Sequence, residues 1–352
     1  MTELSPSDKA PSRDILTPSN VKRIGRNTIH ASGLITIGGE PDQITLLHEL
    51  DPVVDRLIDE HVAARTVWMP HDFMPIDDEG RIITRRLSSD ESPLLTPDVT
   101  ASVIVNFLTE ENLPGYHRVI SENFSHEDAF RRWTNKWTAE EANHGYILHV
   151  FLDLTRAVSP EVVERLRVNQ VEQGYEVEKD PLHTLVYVTF QELATRVSHR
   201  QTGAKSDNPI LNEILKNVAA DENHHMIFYR NLVAEAFNLA PNQTMQAIYD
   251  EIKDFEMPGA NIEGFQRRAL QIANADIYNL PRHIKEVIMP VLRYWNVFKR
   301  DDLTGFGAQA RDDLALHLEK LQRQAASFTD KRESGQLGRV IDMMARRNPS
   351  DW

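Results

Sequence analysis

The chain has 352 residues, 41% of them hydrophobic, and 53 acidic against 39 basic side chains give a net charge of −14. Such a length allows a sizeable core in one or two domains, and the negative charge argues against nucleic acid as a main partner. The absence of cysteine excludes disulfides, cysteine-held iron–sulfur clusters and thiolate catalysis. No apolar stretch approaches the roughly 18 residues of a membrane span and no signal-peptide core is visible, so a cytoplasmic protein without integral membrane segments is expected.

Residues 1–40 are rich in Ser, Thr, Pro and Gly and are expected to form a flexible arm. Glu3, Asp8 and Asp14 speak against a transit peptide, which should be poor in acids. One helical domain is expected over 41–330. Ile44, Leu46, Leu47, Leu50, Val53, Val54, Leu57 and Ile58 have helical spacing. A turn containing Pro and aromatic residues follows at Trp68–Pro75, then a polar loop to about residue 95. Helices are expected at about 98–123, 127–156, 160–173, 181–202, 207–237, 242–256, 262–275, 281–296 and 305–330. Pro114 cannot donate to the carbonyl of Glu110, so a kink is expected there. Strand signals are weak, and residues 331–352 read as a mildly basic tail carrying Lys331, Arg332, Arg339, Arg346 and Arg347.

Within these helices one spacing occurs twice. Glu110 lies 31 positions before Glu141-Ala-Asn-His144, and Glu192 lies 30 positions before Glu222-Asn-His-His225. Residues three apart on a helix rise about 4.5 Å and project from one face. Two helices with Glu-x-x-His and two with a lone Glu supply four carboxylates and two imidazoles, the ligand set of di-iron and di-manganese carboxylate bundles. Oxygen-rich ligands of this kind select iron or manganese over zinc or copper. The register has neighbours to resolve: Glu111 beside Glu110, Glu140 beside Glu141, and Asp221-x-x-His224 overlapping Glu222-x-x-His225. Phe107 and Leu113 share a face with Glu110 more closely than with Glu111, which favours Glu110. Asp221 reads as an acceptor that orients a ligand histidine.

The segments around these residues resemble the soluble acyl-acyl-carrier-protein desaturases. They are Thr109-Glu-Glu-Asn-Leu-Pro114, Trp137-Thr-Ala-Glu-Glu-Ala-Asn-His144-Gly145, Phe190-Gln-Glu-Leu-Ala-Thr195, Ala220-Asp-Glu-Asn-His-His225 and Trp68-Met-Pro-His-Asp-Phe73. Leu46-Leu-His-Glu-Leu-Asp-Pro52 and Met226-Ile-Phe-Tyr-Arg230 bring it closest to the actinobacterial branch, and the likeness covers about 43–330. The resemblance implies an all-α, ferritin-like di-iron helix bundle with additional helices. It implies insertion of a cis double bond into a fatty acyl chain on acyl carrier protein, with O2 and two electrons from ferredoxin, in a homodimer. Carried onto this chain, the metal ligands are Glu110, Glu141, His144, Glu192, Glu222 and His225, holding two iron ions for which manganese can substitute. Thr195 is the hydroxyl near the oxygen-binding face, and Trp68, Asp221 and His144 match the family's electron path. Many relatives carry Asn and Arg between the first Glu and His; Ala142 and Asn143 stand there here and are expected to face away from the metals.

Tyr116, Val119 and Ile120 are candidate walls of an acyl slot, and Arg267, Arg268, Arg282 and Lys285 are candidates for docking an acidic carrier protein. A ribonucleotide reductase small subunit would need a tyrosine four residues after the first ligand histidine, where Leu148 stands, while Tyr146 points elsewhere. Another di-iron oxidase or oxygenase, or a non-enzymatic ferritin-like iron-binding bundle, are the remaining alternatives, and the second of these needs only about half the helices. Chain length, double-bond position and the physiological electron donor are not legible in the sequence.

Overall fold

In the computed structural model the described residues are 23–24, 27–29, 35–37, 39–124, 127–175, 177–257, 259 and 262–347. The arm expected over 1–40 lies for the most part outside them. Short antiparallel strands β1 (Arg23–Ile24), β2 (Asn27–Ile29), β3 (Ile35–Ile37) and β4 (Glu40–Pro41) pair in sequence order, Thr36 facing Pro41 in the last pair. The rest of the described chain is almost entirely helical.

Helix α1 (Gln43–Ala64) starts where the Asp42 carboxylate accepts the Thr45 amide at 2.8 Å. Helices α2 (Pro97–Glu111), α5 (Pro160–Gln173), α6 (Pro181–Lys205), α7 (Pro209–Leu239) and α8 (Pro241–Lys253) each open on a proline, which needs no amide partner in the first turn. Asp180 and Asn208 cap α6 and α7. Ala240 cannot cap α8, and the buried Glu40 carboxylate does so from β4, accepting the Asn242 and Gln243 amides at 2.8 and 3.0 Å.

The helix expected over 98–123 is two helices. Helix α2 stops at Glu111, the Asn112 amide turns back to the Thr109 carbonyl at 3.2 Å, and α3 (Leu113–Phe124) follows. The missing amide of Pro114 breaks the helix rather than bending it. Helix α4 (Asp128–Thr155) and α9 (Phe265–Asn274) match their expected spans. The stretch expected as one helix at 281–296 begins as α10 (Leu280–Arg282), widens into a π turn over His283–Ile288 and ends as α11 (Met289–Tyr294). The wider turn falls where Pro290 withholds a donor. Helix α12 (Gly305–Glu333) is followed by α13 (Gln336–Arg347), so the basic stretch after residue 330 contains a helix, packed on α9 and α12.

Helices α2, α4, α7 and α6 pack in a closed ring, α2 on α4, α4 on α7, α7 on α6 and α6 on α2. Two apolar clusters fill the ring at different heights. One holds Trp133, Trp137, Phe190 and Tyr229, the other Phe107, Leu108, Leu148, Phe151 and Val218. Along α4 the chain passes from Trp137 in the first to Ile147 in the second. Glu141 and His144 fall between them. A polar layer is thus enclosed by hydrophobic layers on both sides. Gly145 allows the close approach, since a Cβ there would sit 3.1 Å from the Glu111 carboxylate and 3.5 Å from Glu110 Cβ.

Among the described residues no helix is long and apolar enough to cross a membrane. Arg267 and Arg268 are buried, only 7% and 8% exposed, so they do not form the surface patch expected of them. Arg282 is tied to Glu286 at 2.5 Å and Asp276 at 3.3 Å.

Candidate metal centre

The ring brings all six expected ligands together inside the polar layer. Glu110 comes from α2, Glu141 and His144 from α4, Glu192 from α6, and Glu222 and His225 from α7; none is more than 6% exposed. Their donor atoms form two overlapping groups. Glu110, Glu141, His144 and Glu222 make one, and Glu141, Glu192, Glu222 and His225 the other, with donors in each within 4.8 Å of one another. Glu141 and Glu222 belong to both, the arrangement two carboxylates need to bridge a pair of cations. Each group then adds one further carboxylate and one imidazole. Glu111, the rejected neighbour of Glu110, turns to Arg167 at 3.7 Å and stays outside both groups. Ala142 is exposed and Asn143 half-buried, away from the centre, and Tyr146 is 53% exposed.

The unbonded donors show whether cations fit. Glu141 Oε1, Glu192 Oε2 and His225 Nδ1 have no hydrogen-bond partner although each is buried. His225 Nδ1 nevertheless lies 2.8 Å from Glu141 Oε1 and 3.5 Å from Glu192 Oε2. These atoms are close but not aligned to bond one another, as expected of lone pairs aimed at a shared point between them. Charge gives the same answer. Burial, then the Glu222 and Glu141 charges, pushes the Glu192 carboxyl well above the usual range, and burial with Glu222 raises Glu141. Burial opposes charge on His144 and His225, but the surrounding carboxylates outweigh it and raise both well above the ordinary imidazole range. Glu110 is held below the carboxylate range, because hydrogen bonds from His144 and His199 outweigh its burial. The cluster therefore calls for positive charge at its centre, and oxygen-rich donors of this number suit two hard divalent ions.

Both imidazoles turn Nδ1 inward and Nε2 outward. His144 Nε2 meets Asp221 Oδ2 at 3.3 Å, and the Trp68 indole N–H donates to the same oxygen at 2.7 Å. Trp68 also stacks on His144 with rings 5° apart in tilt at 6.2 Å. The three residues expected to form a path are in contact. His225 Nε2 meets Glu140 Oε2 at 3.0 Å. Glu140, visible in the sequence only as a rival for Glu141, thus backs the second histidine. Each backing acid immediately precedes a ligand glutamate and serves the histidine of the other helix. Thr195 donates to Glu222 Oε2 at 2.8 Å as well as to the Glu192 carbonyl at 3.0 Å. Two further contacts were not anticipated. The Trp137 indole donates to Glu192 Oε1 at 3.0 Å, and His199 Nε2 meets Glu110 Oε1 at 2.9 Å. His199 follows Glu192 and Thr195 on one face of α6 (positions i, i+3, i+7), which is a readable signal.

Two cavities border the centre. One of about 90 Å³ is lined by Glu110, Thr195, His199, Met257, Phe265 and Ile272. The other, about 30 Å³, is an apolar slot whose walls include Tyr116, Val119, Ile120, Trp137, Tyr187 and Val188, so all three expected wall residues face it.

Comparison with known proteins adds an independent finding. The model of the fatty acid desaturase family matches residues 42–341. A Mycobacterium tuberculosis protein provisionally named acyl-acyl-carrier-protein desaturase DesA1 is 38% identical over 315 residues, covering 86% of this chain and 91% of its own. Stearoyl-acyl-carrier-protein 9-desaturase 6 of Arabidopsis thaliana chloroplasts is 28% identical, covering 81% of this chain and 79% of its own. The crystal structure of the related DesA2 from Mycobacterium tuberculosis superposes with a TM-score of 0.57 at 27% identity, covering 73% of this chain and 97% of that one.

Proposed function

The chain belongs to the fatty acid desaturase family, and from that premise we propose that it is an acyl-acyl-carrier-protein desaturase that inserts a cis double bond into a carrier-bound acyl chain. The observation that carries the reading is the pair of buried four-donor groups sharing Glu141 and Glu222. Glu110, Glu141 and His144 with Glu222 would hold one ion, and Glu141, Glu192, Glu222 and His225 the other. Iron is the metal proposed, with manganese as a substitute. Bound there, the two ions supply the O2-dependent oxidation that an unactivated methylene requires.

The electron count is closed. Reduction of O2 to two waters takes four electrons; two come from the two C–H bonds that are lost and two from an external donor, proposed to be ferredoxin. Trp68, Asp221 and His144 form the contact chain from the surface side of the bundle inward. Thr195 holds a hydroxyl proton at the edge of the larger cavity and against Glu222, where it can be passed inward. The hydrophobic layers above and below exclude water from the polar layer. Trp137 joins the centre to the slot: its indole fixes Glu192 while its ring lines the wall beside Ile120. An acyl chain lying there would be held against the centre, and position along the slot would decide which carbons react. At about 30 Å³ the slot has room for little more than a water or two, so its side chains must part for an acyl chain to enter. A cytoplasmic homodimer is proposed on the resemblance alone.

The test is mass spectrometry of products after iron-loaded protein meets a ladder of acyl-carrier-protein thioesters with ferredoxin, its reductase and O2. A monounsaturated product is expected from at least one chain length and none from Glu141→Ala, which removes a bridge and one negative charge. No unsaturated product across the ladder from protein carrying two irons would refute the desaturase reading and favour a different di-iron oxidase.

A further inference from the structure

The two ligand histidines are backed by the same device built from different materials. Asp221 backs His144 and accepts the Trp68 indole N–H from outside. Glu140 backs His225, and three more groups converge on it. His61 Nε2 lies 2.9 Å from Glu140 Oε2, the Arg65 guanidinium bonds Glu140 Oε1, and Lys136 Nζ stands 3.5 Å from the same oxygen. His61 is 5% exposed, stacks on His225 at 5.8 Å with 20° between the rings, and is held edge-on by Trp133 at 5.0 Å. Trp68 stacks over His144 in the matching place. One short stretch, from the last turn of α1 to Trp68, therefore covers the outer side of both histidines.

We propose that Glu140, pinned by His61 and Arg65, is a positioning residue for the His225-side ion, and that it makes the two ion positions unequal. An acceptor on Nε2 fixes the tautomer that leaves Nδ1 free for metal and raises the basicity of the ring. Asp221 does this as a carboxylate with no cation among the contacts described for it. Glu140 does it with its charge drawn off by Arg65 and Lys136, so His225 is the weaker donor of the two. The His144-side ion binds first and more tightly, and the His225-side ion second.

This inference rests on the two-metal reading and is tested by metal binding without substrate. Apoprotein is titrated with Co2+ as the probe, following visible absorption, for wild type, Glu140→Gln, Asp221→Asn and His61→Phe, with thermal melts of each apoprotein. Wild type is expected to take two ions per chain in two steps. Glu140→Gln should weaken the second step by about 10–100-fold and leave the first unchanged, and Asp221→Asn should weaken the first. His61→Phe, which keeps a ring against His225 but loses the hydrogen bond to Glu140, should weaken the second step by a smaller factor and serves if Glu140→Gln does not fold. A Glu140→Gln isotherm like that of wild type, or equal weakening of both steps, overturns the inference. Uptake of fewer than two ions by wild type removes the two-metal reading itself.

Discussion

Trp137→Phe isolates one hydrogen bond that joins the slot to the centre. The indole N–H lies 3.0 Å from Glu192 Oε1, and both residues are buried. Without metal, burial and the neighbouring acids push the Glu192 carboxyl up, so its oxygen accepts with less negative charge than a metal-bound carboxylate would, and a neutral bond has a net worth of about 1 kcal/mol. With metal it accepts as a carboxylate, where such bonds contribute about 1.5–3 kcal/mol. The metal-bound state therefore loses about 0.5–2 kcal/mol more than the apoprotein, a loss of roughly 2–30-fold in affinity for the ion beside Glu192. Fe2+ titration under anaerobic conditions measures it, with the apoprotein melt showing that the fold survives. Binding as tight as that of wild type in a folded Trp137→Phe protein would refute the reasoning.

Trp68→Phe with Asp221→Asn should still hold two ions but be reduced more slowly, as read by stopped-flow absorbance with reduced ferredoxin; a wild-type rate would remove this path. A pH effect is expected away from the metals. Burial lowers the His283 pKa to about 4, where it packs on Phe255 at 4.7 Å and its Nδ1 faces the Tyr278 hydroxyl at 2.6 Å. Below about pH 6.5 the unfolded chain binds a proton that the folded chain refuses, so this site's contribution is lost as pH falls from about 6.5 to about 4, by up to about 3 kcal/mol. Urea unfolding at pH 7.5 and 5 should show His283→Asn losing less stability on acidification than wild type, and equal losses would contradict the assignment.

The clustering of these side chains was legible because Glu-x-x-His places both residues on one helical face whatever the rest of the chain does, so the pairing of Glu141 with His144 and of Glu222 with His225 follows from local geometry alone. Glu110 and Glu192 followed from the repeated offset. Glu140 did not, since its role depends on His225, 85 positions away on another helix. The hint was that an acid precedes the ligand glutamate in both motifs, Asp221 as well as Glu140. His61 lies in the last turn of α1 and Arg65 just after it, in a stretch whose sequence shows only an apolar stripe, and nothing local marks them as partners of α4. Pro114 marked the right place but not the outcome, because the strength of a bend depends on whether the next residues can restart a helix. Helix α13 escaped notice for a different reason: Leu337, Val340, Ile341 and Met344 have helical spacing, but the flanking arginines made the stretch read as a solvated tail.

Glu141 and Glu222 are proposed to bridge two ions. A crystal structure of iron-loaded protein with data at the iron absorption edge tests it most directly. Two anomalous peaks are expected about 3.5–4 Å apart inside the α2–α4–α7–α6 ring, each beside one histidine Nδ1, with Glu141 and Glu222 reaching both. The group His61, Glu140 and His225 also brings three donors within 4.8 Å of one another. A single peak there, or one ion with Glu141 or Glu222 turned away, would contradict it.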